Sequence, residues 1–242
     1  MLRESTTPGA LIGESAAGRA SGRANSMDIE QARFNMVEQQ IRTWEVLDQD
    51  VLDLLFSVRR EDFVPASYAA LAFADLEIPL GDGERMWTPK LEARVLQELE
   101  LKHGERVLEI GTGSGYLTAL IASQGAHVTS VEIVPRLSQE ARAKLTRSGI
   151  AGAELVVGDG ARGWGDAKYD AIVLAGSTPL LPGEFINQLK PGGRLFAVVG
   201  ERPVMTAQLV RWVAPGDVTS ENLFETVIEP LRNAATPARF EF

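Results

Sequence analysis

Apolar residues recur with a helical period from Met27 to Pro65, where the first helical stretch of the folded chain ends. Val51, Leu54 and Leu55 fall on one face of a predicted helix. A further helix is expected over Lys90–Leu99, with Thr88 as its N-cap, because a hydroxyl at this position can accept from a free backbone N–H. The first part of the chain is therefore predicted to be helical, with a loop at Gly81–Gly83 before the Lys90–Leu99 helix.

The pattern then changes to short apolar runs that alternate with helical segments. The predicted strands are Arg106–Ile110, Val128–Ile133, Ala153–Val157, Tyr169–Ala175 and Arg194–Val199. The predicted helices between them are 116–123, Pro135–Arg147 and Gly183–Leu189. Strands alternating with helices indicate a parallel sheet that is covered on both faces.

The last part of the chain lacks a long helix. Val204–Val213 and Leu223–Leu231 are two apolar runs that predict an antiparallel hairpin at the sheet edge. The complete prediction is a Rossmann-like, doubly wound α/β fold. It has a mostly parallel seven-stranded sheet, N-terminal helices and an antiparallel C-terminal hairpin.

Composition narrows the class of protein. The chain has 242 residues, with 24 Lys and Arg against 33 Asp and Glu, for a net charge of −9. It has no cysteine, which excludes a disulfide scaffold, a zinc–thiolate site and a cysteine nucleophile. No metal site is predicted, since the two histidines are far apart in the sequence. The acidic balance argues against a nucleic-acid partner, because phosphate binding needs clustered Lys and Arg.

Residues 1–26 are rich in small residues and contain no aromatic residue. We predict a disordered tail, or an over-extended start with Met27 as the initiator; a cleaved targeting peptide fits less well. Residues 27–242 are expected to form a single domain. No stretch reaches the roughly 18 apolar residues of a membrane span, so we expect a soluble, cytoplasmic protein without a membrane partner.

A glycine-rich turn, Gly111–Gly115, follows the first predicted strand of the alternating region and opens a helix. Glycines allow a close approach of the backbone to a ligand, and a helix N-terminus presents free N–H groups. The next strand ends at Glu132, which is placed to accept hydrogen bonds from a ribose diol. Two cofactors fit this pattern, a dinucleotide and S-adenosyl-L-methionine.

The glycine spacing favours S-adenosyl-L-methionine. A dinucleotide motif needs a small residue where Tyr116 stands. Glu109 would repel a pyrophosphate but suits the ammonium of a methionine moiety, and Asp159 can accept from an adenine amino group. The predicted cofactor-binding residues are Glu109, Gly111, Thr112, Gly113, Ser114, Gly115, Glu132, Ile133, Asp159 and Gly160.

Several phrases of the sequence resemble one family of S-adenosylmethionine-dependent methyltransferases, the protein-L-isoaspartate O-methyltransferases. These phrases are 36–42 (MVEQQIR), 60–65 (REDFVP), 106–116 (RVLEIGTGSGY) and 229–231 (EPL). The resemblance implies methyl transfer from S-adenosyl-L-methionine to the carboxylate of isoaspartyl residues in damaged proteins, which is a protein-repair activity. It also implies a protein or peptide substrate; a small carboxylate is an alternative acceptor.

The sequence departs from that family in one loop. The family has a loop like Thr-Ile-Ser-Gln-Pro over the cofactor, with a hydroxyl that orients the acceptor. Here the corresponding segment, which we call the acceptor loop, is Arg85, Met86, Trp87 and Thr88. Trp87 stands at the hydroxyl position, Thr88 is the one candidate for a catalytic hydroxyl, and Arg85 is a candidate partner for the acceptor carboxylate. Arg232 is a second departure, where the family tends to a small polar residue.

These departures leave alternatives open. The chain could be a methyltransferase of the same family with another acceptor, or a module that binds S-adenosyl-L-methionine without catalysis. A dehydrogenase is the remaining alternative.

Overall fold

The computed structural model describes residues 28–214 and 216–237. The prediction of a disordered tail or an over-extended start concerns residues outside this part of the chain. Helix α1 (residues 28–35) continues as a π-helical turn and a 3-10 turn, Met36–Ile41 and Arg42–Trp44. Two further 3-10 segments are Arg60–Asp62 and Ala66–Leu71. The other helices are α2 (Gln49–Ser57), α3 (Pro89–Leu99), α4 (Tyr116–Ser123), α5 (Pro135–Arg147) and α6 (Gly183–Asn187).

The strands form one large sheet and one small hairpin. The hairpin strands are β1 (Ile78–Gly81) and β2 (Glu84–Met86). The strands of the sheet are β3 (Arg106–Ile110), β4 (His127–Glu132), β5 (Ala153–Val157), β6 (Tyr169–Leu174), β7 (Leu189–Glu201), β8 (Val204–Ala214) and β9 (Asp217–Glu225). Their spatial order is β5-β4-β3-β6-β7-β8-β9. Strands β3 to β7 are parallel, and β8 and β9 complete the sheet as antiparallel strands.

The sheet has a hydrophobic core on each face. Val107 and Val173 belong to the core that contains the N-terminal helices, whereas their neighbours Leu108 and Ile172 belong to the opposite core. Successive side chains of a strand point to opposite faces, so a strand that is buried on both sides reads as a continuous apolar run. This is why the sequence pattern predicts the parallel strands well. The predicted fold class is confirmed.

The second strand of the C-terminal hairpin was predicted at Leu223–Leu231, and this position is wrong. The observed strand β9 begins six residues earlier and ends at Glu225. Its exposed polar residues suit an edge strand but hide it from an apolar pattern. The apolar residues beyond it leave the sheet: Ile228 is buried by packing, and Leu231 N donates to Ser177 O at 2.9 Å.

Strand β7 also differs from its predicted bounds, because it begins at Leu189 rather than at Arg194. Its pairing with β6 is irregular between Tyr169 and Ala171, opposite residues Lys190–Gly193 of β7. Within residues 28–214 and 216–237, no helix is both long enough and apolar enough to cross a membrane.

Candidate active site

A cavity of about 870 Å³, its open mouth included, lies at the carboxyl edge of β3, β4 and β6. The strand order reverses on either side of β3, and ligands of open α/β sheets bind at such switch points. The cavity is lined by the glycine loop, by the ends of β4 and β5, by the acceptor loop and by a C-terminal segment, residues 229–232.

The glycine loop turns the chain from β3 into α4. Gly111, Gly113 and Gly115 have φ angles of 99°, 52° and 84°, in the left-handed region that favours glycine. At Gly115 an added Cβ would also lie 2.9 Å from the Cβ of Ala141 in helix α5. Four predicted residues of the loop, 111–114, line the cavity, whereas Gly115 packs against α5 and does not.

Glu132 lies at the end of β4 and is almost fully buried. Its Oε2 accepts from Gly113 N at 2.8 Å, and its Oε1 accepts from Val134 N at 2.9 Å. These bonds fix the carboxylate beside the glycine loop. A carboxylate has about four acceptor positions, so about two remain for a ligand. The next residue, Ile133, forms part of the cavity wall.

Glu109 does not line the cavity, in contrast to its expected place beside a methionine ammonium. The side chain points towards helix α4, where Thr118 Oγ1 donates to its Oε2 at 2.5 Å. It is fully buried, and burial raises the pKa of Glu109 to about 7. Ser130 connects this group to the cavity wall, because its hydroxyl lies 2.6 Å from that of Thr112. Glu109 therefore supports the glycine loop from behind.

Asp159 and Gly160 follow β5 and both line the cavity. Asp159 Oδ1 accepts from Ala161 N at 3.0 Å, and its Oδ2 accepts from Asn233 Nδ2 at 2.8 Å. An added Cβ at Gly160 would lie 2.7 Å from Ile110 Cδ1, so glycine lets this loop pack closely over the end of β3. Asn233, the residue directly after the C-terminal segment, thus ties this part of the chain to the predicted adenine side of the cavity.

Three residues of the acceptor loop line the cavity: Arg85, Met86 and Trp87. Trp87 is only 6% exposed, so it is both a core residue and a wall of the cavity. Thr88 does not line the cavity; its Oγ1 accepts from Leu91 N at 3.4 Å and caps helix α3. The role of Thr88 as an N-cap is confirmed, and this residue, the candidate for a catalytic hydroxyl, lies outside the cavity wall.

Ion pairs surround the mouth of the cavity. Arg85 Nε lies 3.9 Å from Glu77 and 3.8 Å from Glu229, so it is loosely held between two carboxylates. Burial raises the pKa of Glu77. Arg232 Nε donates to Glu84 at 2.7 Å, which connects the C-terminal segment to the β1–β2 hairpin.

A buried ion pair lies behind the acceptor loop. Arg60, which is 1% exposed, donates to Glu92 in helix α3 and, at 2.6 Å, to the carbonyl oxygen of Trp87. Burial lowers the pKa of Arg60 to about 10, so it is still charged at neutral pH. Its partner Glu92 is buried as well and forms part of the cavity wall.

Sequence reasoning missed several wall residues. These are Glu77, Glu84, Glu92, Leu117, Ala175 and Gly176. Ala175 and Gly176 had an available signal, since they end and follow a predicted strand at the carboxyl edge. The acidic residues come from segments that are distant in the sequence, and no spacing rule connects them.

The sheet order, the glycine loop and the position of Glu132 are consistent with a Rossmann-like methyltransferase that uses S-adenosyl-L-methionine, and the family match establishes that class. A model of the family described as protein-L-isoaspartate(D-aspartate) O-methyltransferase matches residues 31–234. The chain belongs to this family, as the resemblance of its motifs indicated.

Two relatives show the extent of the similarity. A protein-L-isoaspartate O-methyltransferase of Methanoculleus marisnigri is 44% identical over 171 residues, which cover 70% of this chain and 78% of the relative. One of the same name from Myxococcus xanthus is 42% identical over 191 residues, covering 77% of this chain and 90% of the relative.

Solved structures support the fold. A Plasmodium falciparum structure, described as a putative protein-L-isoaspartate O-methyltransferase in complex with S-adenosyl-L-homocysteine, has a TM-score of 0.73. It is 19% identical and covers 84% of this chain and 97% of its own. A second structure, named protein-L-isoaspartate O-methyltransferase, has a TM-score of 0.69 at 23% identity and covers 84% of this chain and 65% of its own. At these identities the likeness concerns the fold.

Proposed function

We propose that this protein transfers a methyl group from S-adenosyl-L-methionine to the carboxylate of isoaspartyl residues in proteins or peptides. The observation that carries the proposal is that one cavity is lined both by the glycine loop with Glu132 and by the acceptor loop. The methyl group of the cofactor and the acceptor carboxylate are therefore expected to meet in this cavity. Family membership supports the same activity.

The residues of the cavity fit this cofactor. Glu132 is held by two backbone N–H groups and retains acceptor positions for a ribose diol. Asp159, at the end of the next strand, is proposed to accept from the adenine amino group. Ile133 and Leu117 supply apolar wall. When bound, the cofactor supplies an activated methyl group on a sulfonium.

The protein has little proton chemistry to perform. A carboxylate acceptor is already ionised at neutral pH, so it needs no general base. The rate can come from holding the acceptor oxygen in line with the methyl group and excluding water. We assign to Arg85 the binding of the acceptor carboxylate, because its two ion pairs are long and its guanidinium can form a bidentate pair.

An isoaspartyl peptide and methyl-labelled cofactor test the proposal. We expect a base-labile methyl ester on that peptide and none on the matched peptide with normal aspartate. Equal labelling of both peptides, or none, contradicts repair activity. Calorimetry with S-adenosyl-L-homocysteine, and with NAD as the control, tests the cofactor separately.

A second candidate function is methyl transfer to a different acceptor. It is favoured by Trp87, whose indole forms the wall where the family resemblance places a hydroxyl, while the Thr88 hydroxyl caps a helix. For this candidate, Trp87→Ser raises isoaspartyl turnover and the native protein has almost none. Normal turnover by the native protein rejects it.

The proposal also includes a single catalytic domain over residues 27–242 and a cytoplasmic location. Apart from the separate β1–β2 hairpin, all strands up to residue 225 belong to one sheet, which supports the single domain. Limited proteolysis tests the domain, since a stable core that starts near Met27 is expected. Cell fractionation tests the location.

A further inference from the structure

Arg60 is surrounded by acceptors. Its Nε donates to Ala72 O at 3.0 Å, and its Nη2 donates to Trp87 O at 2.6 Å. Its Nη1 donates to the Glu92 carboxylate. The guanidinium also lies over the ring of Tyr116, with its central carbon 5.1 Å from the ring centroid. A buried charge is tolerated only with such partners.

These partners come from both halves of the active site. Trp87 belongs to the acceptor loop, and Glu92 is a wall residue on the first turns of α3. Tyr116 is the first residue of α4, directly after the glycine loop. One side chain therefore contacts the structure that holds the cofactor and the structure that meets the acceptor.

We propose that Arg60 is a positioning residue, which fixes the main chain of Trp87 relative to the start of α4 and so sets the acceptor wall of the cavity. That this wall positions the methyl acceptor rests on the proposed function. Arg60 is 1% exposed and does not itself line the cavity, so it acts through the lining residues Trp87 and Glu92.

Arginine is required for this task. Its planar guanidinium donates in three fixed directions, here to two carbonyl oxygens and a carboxylate. Lysine can keep the charge near Glu92, but its single ammonium cannot reproduce the fork. Methionine fills similar space and removes every donor.

The test variants are Arg60→Met, Arg60→Lys and the double variant Arg60→Met with Glu92→Val, which also removes the unpaired carboxylate. Arg194→Met is the matched control. Arg194 is 6% exposed and donates to Leu99 O at 2.5 Å and to Glu105 at 2.7 Å. It lies at the amino end of the parallel strands, opposite the cavity.

The first measurement is hydrogen exchange, by mass spectrometry, of the peptide that contains the acceptor loop. Arg60→Met and the double variant are expected to exchange faster in this peptide, while Arg194→Met exchanges there as the native protein does. Arg60→Lys is expected to be intermediate. Unchanged exchange in Arg60→Met and in the double variant overturns the proposal, and so does equal acceleration by Arg194→Met. If Arg60→Met fails to fold, the double variant still tests the proposal.

The second measurement is steady-state kinetics with the isoaspartyl peptide. A displacement of the acceptor wall by about 1 Å is expected to lower kcat/KM about 100-fold. The affinity for S-adenosyl-L-homocysteine is expected to remain near the native value. Native kcat/KM in a folded Arg60→Met protein overturns the proposal. If the native protein itself does not methylate the peptide, the proposed function fails, and hydrogen exchange still decides the role of Arg60.

Discussion

Gly115 provides the sharpest test of how the cofactor loop is built. It has a φ of 84°, and an added Cβ would lie 2.9 Å from Ala141 Cβ and 3.3 Å from Ala141 Cα. Ala141 has no flexible side chain that could move away. Carbon atoms in contact are about 3.5 Å apart or more, so α5 must shift by roughly 0.6 Å in Gly115→Ala.

Gly149 is a matched control for this substitution. Its φ is 67°, also left-handed, but an added Cβ there would meet nothing within 4 Å. Both variants incur a left-handed penalty of roughly 1–2 kcal/mol, and both gain a little from a less flexible unfolded chain. Only Gly115→Ala adds an overpacking cost of about 1–3 kcal/mol.

Equilibrium unfolding in urea measures the difference. Gly115→Ala is expected to be less stable than Gly149→Ala by about 1–3 kcal/mol. It is also expected to bind S-adenosyl-L-homocysteine more weakly by calorimetry, because α5 begins three residues after Glu132. A difference in stability below about 0.5 kcal/mol refutes the packing argument, since that is the scale of ordinary surface substitutions.

Two further predictions concern carboxylates. Glu132→Gln is expected to weaken binding of S-adenosyl-L-homocysteine by roughly 10- to 100-fold, because hydrogen bonds to a charged group are stronger than those to a neutral amide. Glu154→Gln, at an exposed position, is the control in calorimetry. Equal affinities of the two variants for S-adenosyl-L-homocysteine would argue against binding of the ribose diol by Glu132. Glu109 has a raised folded pKa of about 7, so the unfolded chain ionises first and stability falls as pH rises from about 4.5 to 7. The loss is on the order of 3 kcal/mol. Urea titrations across this pH range should show that the free energy of unfolding varies less with pH in Glu109→Gln than in the native protein. An equal slope in the two proteins would contradict the raised pKa of Glu109.

The cofactor half of the site could be predicted because its determinants are local. Gly111–Gly115 directly follows a buried strand, and Glu132 ends the next one, so the parallel sheet brings both to the same edge. This reasoning does not predict which way a side chain points. Glu109 precedes the loop and was expected in the cavity, but it faces α4, where Thr118 donates to it. Strand alternation places it there, since its neighbour Ile110 lines the cavity.

The acceptor half could not be predicted in the same way. Its wall combines the β1–β2 hairpin, the first turns of α3 and a segment that follows the last strand. Contacts between side chains distant in the sequence hold these pieces together, such as Arg232 to Glu84 and Arg60 to Trp87. Apolar periodicity does not report such contacts. It also placed strand β9 six residues too late, because the first residues of this edge strand are exposed and mostly polar.

This division has a consequence for how acceptor preference can change. The Glu132 carboxylate accepts from the backbone N–H groups of Gly113 in the glycine loop and of Val134, so substitutions there disturb the sheet edge as well as the cofactor. The acceptor wall consists of side chains on separate segments, among them Trp87, Glu77 and Arg232. Each can be exchanged without altering the sheet, provided that Arg60 still holds the loop. We therefore expect acceptor differences within the family to lie in these segments while the cofactor half stays the same.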